Sequence, residues 1–147
     1  MLENNAILLE RAIQIAREAH FNQRDKAGFP YLLHPLRIML KMDSVKEMII
    51  AVLHDVVEDS QWTLDDLRKE KFSEDIVSAV DSLTRRAGES YDNYIDRVKR
   101  NPLAIRVKLG DLEDNMNIRR LDRITEQHLE KLKQYHRAYA ELRQQAF

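Results

Sequence analysis

The chain has 147 residues, 33% charged and 44% hydrophobic, and 24 Lys and Arg against 25 Asp and Glu give a formal charge of -1. That length suits a single domain, 1–147, around one core, and the balanced charge excludes a general nucleic-acid binder. With no cysteine, disulfides, zinc–thiolate sites and thiol nucleophiles are excluded too.

Three Gly and three Pro leave little material for tight turns, so an all-α fold with short connections is expected. The most apolar stretch, 48–57, is far shorter than the about 20 residues that span a bilayer. The N-terminus carries acidic residues and no cleavable signal pattern. A cytoplasmic location with no membrane partner is expected.

Leu2, Ala6, Leu9, Ala12, Ile13 and Ala16 recur at helical spacing opposite Glu10, Arg11, Arg17 and Glu18. This predicts an amphipathic first helix ending near Phe21. Residues 22–30 read as an ordered loop with Gly28 and Pro30 as breakers. A short helix is expected from His34-Pro35, because Pro favours the first helical position. Asp43-Ser44 cap the next helix, which is predicted to run to about Val57, apolar nearly all round and central to the bundle.

Thr63 to Asp66 signal a short helix to about Lys69. Ser73 starts another, carrying Ile76, Val77, Val80 and Leu83. Ser90 caps a helix with Tyr91, Tyr94, Ile95 and Val98. Asn101-Pro102 opens one with Ile105, Leu109, Leu112 and Met116. The last helix shows Leu129, Leu132, Tyr135, Tyr139 and Leu142. No internal repeat or low-complexity segment interrupts this order.

The most informative segment is 51–59, Ala-Val-Leu-His-Asp-Val-Val-Glu-Asp. An imidazole and three carboxylates interrupt an apolar run, and buried ionisable groups are costly unless paired or bound to a metal. On a continuous helix His54 lies over Glu58 and Asp55 over Asp59. Asp111 lies in another mostly apolar run, with Asn115 one turn beyond, and His34 is a further candidate ligand. Two His and two Asp with open positions suit manganese, iron, zinc or magnesium, and the oxygen-rich set leans toward manganese. Such an ion lowers the pKa of bound water and neutralises phosphoryl charge, while Glu58 or Asp59 orients the water or moves its proton.

His34, His54-Asp55 and Asp111, in this order and on helices, resemble the HD superfamily of metal-dependent phosphohydrolases. The finer resemblance is to the (p)ppGpp hydrolase domain of the RelA/SpoT homologues. It rests on Ala19-His20 with Gln23, on Gly28-Phe29-Pro30-Tyr31 before His34-Pro35, on residues 53–60 with Thr63-Leu64 after them, and on residues 107–111 with Asn115-Met116. The resemblance implies an HD-domain helical bundle and one manganese ion held by His34, His54, Asp55 and Asp111. It implies that Glu58 and Asp59 activate the water that attacks a 3′-pyrophosphate, that Asn115 contacts the ribose, and that Lys26 lies near the nucleotide.

The departures fall on base recognition. Where the family usually has an arginine against the guanine, this chain has Asp25, with Arg24 beside it. Leu112-Glu113-Asp114-Asn115 replaces the common Arg-Leu-His-Asn, and Ile118 stands where a polar residue is usual. The expected partner is a small-molecule nucleotide, with (p)ppGpp leading. A phosphatase for another nucleotide and a non-catalytic nucleotide sensor are the other readings.

Arg85 and Arg86, at a helix end before Gly88, suit either a phosphate clamp or complementation of the helix C-terminus. His20 and His136 read as packed core histidines and His128 as exposed. The basic runs 97–100 and 118–120 read as solvated faces.

Overall fold

The structure, a computed structural model, describes residues 2–146, with Leu2 described by its backbone alone. The all-helical expectation holds, and no strand is present among the described residues. Helix α1 (Leu2–Ala19) buries Ala12, Ile15 and Ala16 and half-buries Leu9 and Ile13, while Ala6 stays exposed. Helix α2 (Leu33–Met39) starts one residue before His34, so Pro35 is its third residue and not its first. A proline there still costs nothing, because the first-turn N–H groups have no partner within the helix.

Helix α3 (Val45–Leu53) begins at Ser44, whose hydroxyl accepts the Glu47 N–H at 3.2 Å. Ile49, Ile50, Ala51, Val52 and Leu53 are at most 1% exposed. This helix packs against α1 and α2, and removing one such side chain, as in Leu53→Ala, costs about 2–5 kcal/mol. The predicted run to Val57 is not continuous. Helix α3 stops at Leu53, His54-Asp55 form a turn, and a four-residue helix α4 (Val56–Asp59) follows. His54 causes the break: its Nδ1–H donates to the Ala51 carbonyl at 2.6 Å, while its own backbone N–H reaches that oxygen only at 3.5 Å.

Helix α5 (Leu64–Lys69) carries a reciprocal capping box between Thr63 and Asp66. Helices α6 (Glu74–Leu83) and α7 (Tyr91–Val98) follow, the latter capped by Ser90. Helix α8 (Pro102–Asn115) begins with Asn101 as cap and Pro102 as first residue. A 3-10 turn (Ile118–Arg120) precedes helix α9 (Glu126–Ala146), which packs on α8. Along α9, Ala138 and Leu142 are buried, but His136 is exposed and does not pack in the core as expected.

Gly110 sets how closely α8 approaches α2. A Cβ there would lie 3.1 Å from Met42 Cε and 3.2 Å from Ile38 Cγ2. Helix α2 carries His34 and α8 carries Asp111, so this close packing sets the distance between them.

Candidate metal centre and adjoining cavity

Helices α2 and α8 and the turn after α3 bring His34, Asp111 and His54 together. All three are buried, and one ligand atom from each lies within 4.8 Å of the others. His34 Nε2 is 2.9 Å from Asp111 Oδ1, and His54 Nε2 is 3.5 Å from the same oxygen. Asp55 flanks the trio, with Oδ2 3.0 Å from His54 Nε2 and 3.9 Å from His34 Nε2. It also accepts the Tyr31 hydroxyl at 2.5 Å. The break after α3 puts Asp55 at this point.

The donor set fits a divalent cation. A carbonyl oxygen only accepts, so His54 Nδ1 carries a proton and Nε2 is the nitrogen left to meet a cation. Among the described residues that buried Nε2 has no hydrogen-bond partner, although two carboxylate oxygens lie within 3.5 Å of it. His34 Nδ1 donates to Asp114 Oδ2 at 2.6 Å, which turns its Nε2 toward Asp111. Asn115 Nδ2 donates to Asp111 Oδ1 at 3.1 Å.

The electrostatics call for positive charge. Burial lowers the His54 and His34 pKa values, but the surrounding carboxylates outweigh it and the net shift is upward for both. Burial likewise raises the Asp55 carboxyl, yet the charge and hydrogen bond of His54, with His34, together outweigh it and hold Asp55 at about 2. Lys108, buried beneath the site, donates to Asp111 Oδ2 at 2.7 Å and lies 5.0 Å from the Tyr94 ring centre.

Glu58 and Asp59 lie at the exposed rim on α4, just beyond the turn that carries His54 and Asp55, and the Asp59 N–H donates to the Asp55 carbonyl at 3.0 Å. Glu58 accepts the Arg85 backbone N–H at 2.6 Å. Asp59 accepts Gln23 Nε2 at 3.1 Å, and Gln23 Oε1 accepts His20 Nδ1 at 2.8 Å. His20 is buried, and its Nε2 has no hydrogen-bond partner among the described residues. Burial raises the pKa of both acids, and Asp55 adds to the rise.

A cavity of roughly 260 Å³ adjoins His34 and Asn115. Arg24, Lys26, Arg37, Arg120 and Lys131 bring cations to its wall. Lys26 faces Lys131, and this contact, with burial second, lowers its pKa. Asp25 organises the loop on this wall, with Oδ1 accepting the Ala27 and Phe29 N–H groups at 3.0 and 2.9 Å. Gly28 supplies the turn at φ 87°. His128 is half-buried in the wall and not exposed, with Nδ1 accepting the Thr125 N–H.

Arg85 and Arg86 do not line this cavity. Arg85 lies over the Tyr91 ring, and Arg86 is 3.7 Å from Asp81. The expected solvated faces are corrected at two arginines. Arg97 is bound twice by Glu89 and reaches the carbonyls of Asp81 and Thr84, so it knits the loop after α6. Arg120 reaches back to Asp114. The signal for Asp114 was its spacing, since Lys108, Asp111 and Asp114 repeat every three residues along one buried face of α8.

No family model matches the chain. It is 32% identical over 120 residues to a guanosine-3′,5′-bis(diphosphate) 3′-pyrophosphohydrolase of Aquifex aeolicus, covering 74% of this chain and 17% of that protein. It is 31% identical over 130 residues to a probable GTP pyrophosphokinase of Mycobacterium leprae, covering 79% of this chain and 16% of that one. The bifunctional (p)ppGpp synthase/hydrolase SpoT of Escherichia coli is 29% identical over 123 residues, covering 74% and 17%. The chain thus spans about a sixth of the length of these curated relatives. A solved structure of a metazoan orthologue of SpoT that hydrolyses ppGpp superposes with a TM-score of 0.76 at 20% identity, over 92% of this chain and 84% of that one. By sequence and by fold, the chain is a homologue of the HD-type (p)ppGpp hydrolase domains.

Proposed function

We propose that this chain is a single HD domain that hydrolyses a nucleotide with the help of one divalent cation, and that the substrate is (p)ppGpp, cleaved at its 3′-pyrophosphate. The observation that carries the reading is the orphaned Nε2 of His54, buried among the carboxylates of Asp55 and Asp111 and the Nε2 of His34. These four residues would hold the cation. The oxygen-rich, thiol-free set favours manganese.

When bound, the cation supplies Lewis acidity toward water and toward a phosphoryl oxygen. The chain supplies the rest. Glu58 and Asp59, both with raised pKa values, are the bases that orient water and take its proton. Gln23 and His20 hold Asp59 in place, and the Arg85 N–H holds Glu58. Asn115, between Asp111 and the cavity, meets the ribose. Arg24 and the Lys26–Lys131 pair give the cavity a cationic outer end for the other phosphates. Arg85, beside Glu58, serves the phosphates on the reacting side. The relatives named for this hydrolysis support the substrate class.

Asp25 and Ile118 on the cavity wall favour a second reading, an HD phosphatase for a different nucleotide. Among the described residues, no helix is long and apolar enough to cross a membrane. We place the activity with the nucleotide pool of the cytoplasm.

Anion-exchange product analysis tests the proposal. Purified protein with manganese is incubated with ppGpp and a nucleotide panel, alongside His54→Ala. GDP and pyrophosphate from ppGpp, with none from His54→Ala, are expected. Turnover of another nucleotide with ppGpp untouched would move the reading to the second substrate class. Equal turnover by metal-free His54→Ala would end the metal mechanism.

A further inference from the structure

Asp114 follows Asp111 by three residues on α8 and is 3% exposed. Its Oδ2 accepts His34 Nδ1 at 2.6 Å and Arg37 Nη2 at 2.9 Å, and its Oδ1 accepts Arg37 Nε at 2.8 Å. Arg120 closes on the same residue from the 3-10 turn, with Nη2 3.0 Å from the Asp114 carbonyl oxygen and 3.4 Å from Oδ2. One buried carboxylate therefore gathers an imidazole and two guanidinium groups.

Both arginines line the cavity. Asp114 and, on the facing loop, Asp25 answer these two guanidinium charges, and Arg24, Lys26 and Lys131 leave the cavity wall with surplus positive charge. Arg37 Nη1 and Arg120 Nε make no hydrogen bond to the protein among the described residues, so each fork keeps a donor in reserve. On the opposite side, a carboxylate on the Nδ1–H of a metal-ligating histidine locks the ring and makes its Nε2 more basic.

We infer that Asp114 is a positioning residue with two dependants: the coordinating face of His34 and the Arg37–Arg120 guanidinium pair that receives an anionic group in the cavity. The inference rests on the metal-dependent reading above. It separates the two affinities in a specific way. Loss of Asp114 weakens both metal and anion binding. Loss of the arginines weakens anion binding alone, since neither touches His34. An ion pair that merely holds the fold together would not divide the effects in this way.

The test compares wild type, Asp114→Asn, Arg37→Gln and the Arg37→Gln/Arg120→Gln double variant. Free Mn²⁺ is titrated by electron paramagnetic resonance. GDP binding to EDTA-treated protein is measured by calorimetry, and the imidazole N–H protons are observed by NMR. Asp114→Asn is expected to lower Mn²⁺ affinity about 10–100-fold. It should also lower GDP affinity about tenfold and abolish the downfield His34 Nδ1–H resonance. The arginine variants are expected to lower GDP affinity about tenfold while retaining that resonance, with Mn²⁺ affinity within about threefold of wild type.

Folded Asp114→Asn with wild-type Mn²⁺ affinity overturns the inference. If that variant does not fold, the double variant decides: a fall of tenfold or more in its Mn²⁺ affinity, or unchanged GDP affinity, overturns it. Wild type that binds no Mn²⁺ overturns the metal-dependent reading and this inference together, so the two failures are distinguishable.

Discussion

The Glu58 carboxylate accepts the Arg85 backbone N–H at 2.6 Å, which ties the short helix α4 to the loop after α6. Glutamine keeps an oxygen that can accept the same N–H. Glu58→Gln is therefore expected to fold and to bind Mn²⁺ as wild type does, while losing about 10²-fold or more in kcat as a proton acceptor is removed. Steady-state rates paired with Mn²⁺ titration check this. Loss of the metal as well would reassign Glu58 as a ligand.

Lys108 and Asp111 form a buried ion pair directly under the candidate metal centre. Burial lowers the Lys108 pKa, but Asp111 with Tyr94 and Tyr91 together outweigh it and the net shift is strongly upward. Lys108→Met keeps the aliphatic packing and strands the Asp111 charge, at a cost of about 3–5 kcal/mol. A divalent cation at Asp111 offsets part of that stranded charge. Urea unfolding is expected to show a smaller stability deficit with saturating Mn²⁺ than with EDTA. An equal deficit in both would separate Lys108 from the metal centre.

Glu58 and Asp59 both titrate above ordinary carboxylates, chiefly through burial and then through Asp55. Only the ionised form of either accepts a proton. Activity should therefore be present above the raised pKa values and fall as pH drops through them, with an acid limb above the usual glutamate range near 4.3. The pH profile of kcat/KM measures this. In Glu58→Gln the residual activity is expected to show a limb set by Asp59 alone.

Arg97 holds Glu89 with two hydrogen bonds and the carbonyls of Asp81 and Thr84 with two more. Arg97→Ala is expected to cost about 2 kcal/mol and to loosen residues 84–89. Hydrogen exchange should speed up first at the Arg85 amide, whose acceptor is Glu58. Unchanged exchange there would show that the loop is held by other contacts.

Much of the bundle is legible in local chemistry. Ser44, Thr63, Ser90 and Asn101 each accept the N–H that their position as helix caps predicts. His54 and Asp111 are legible as polar groups in apolar runs, and His34 through the wider pattern that carries the family resemblance. The break at His54 was hidden, because the apolar run through Val57 reads as one helix and only a side-chain bond to Ala51 interrupts it. Asp114 was hidden for a different reason. Its spacing after Asp111 marks the buried face of α8 but not its partners, since His34 and Arg37 lie on another helix. Arg97 was masked in the same way by its basic neighbours, since its partner Glu89 lies beyond its own helix.

The break after Leu53 has a further consequence. It separates Asp55 and Asp111, which nearby cations hold ionised, from the rim acids Glu58 and Asp59, whose pKa values are raised by burial and then by Asp55. Without a cation, protons are held more tightly at the rim acids and at His34 and His54, whose pKa values are also raised. A dication supplies the same charge and expels those protons. Loading the centre is thus an exchange of hydrogen ions for metal, and its affinity climbs with pH until the rim acids and both imidazoles are already bare.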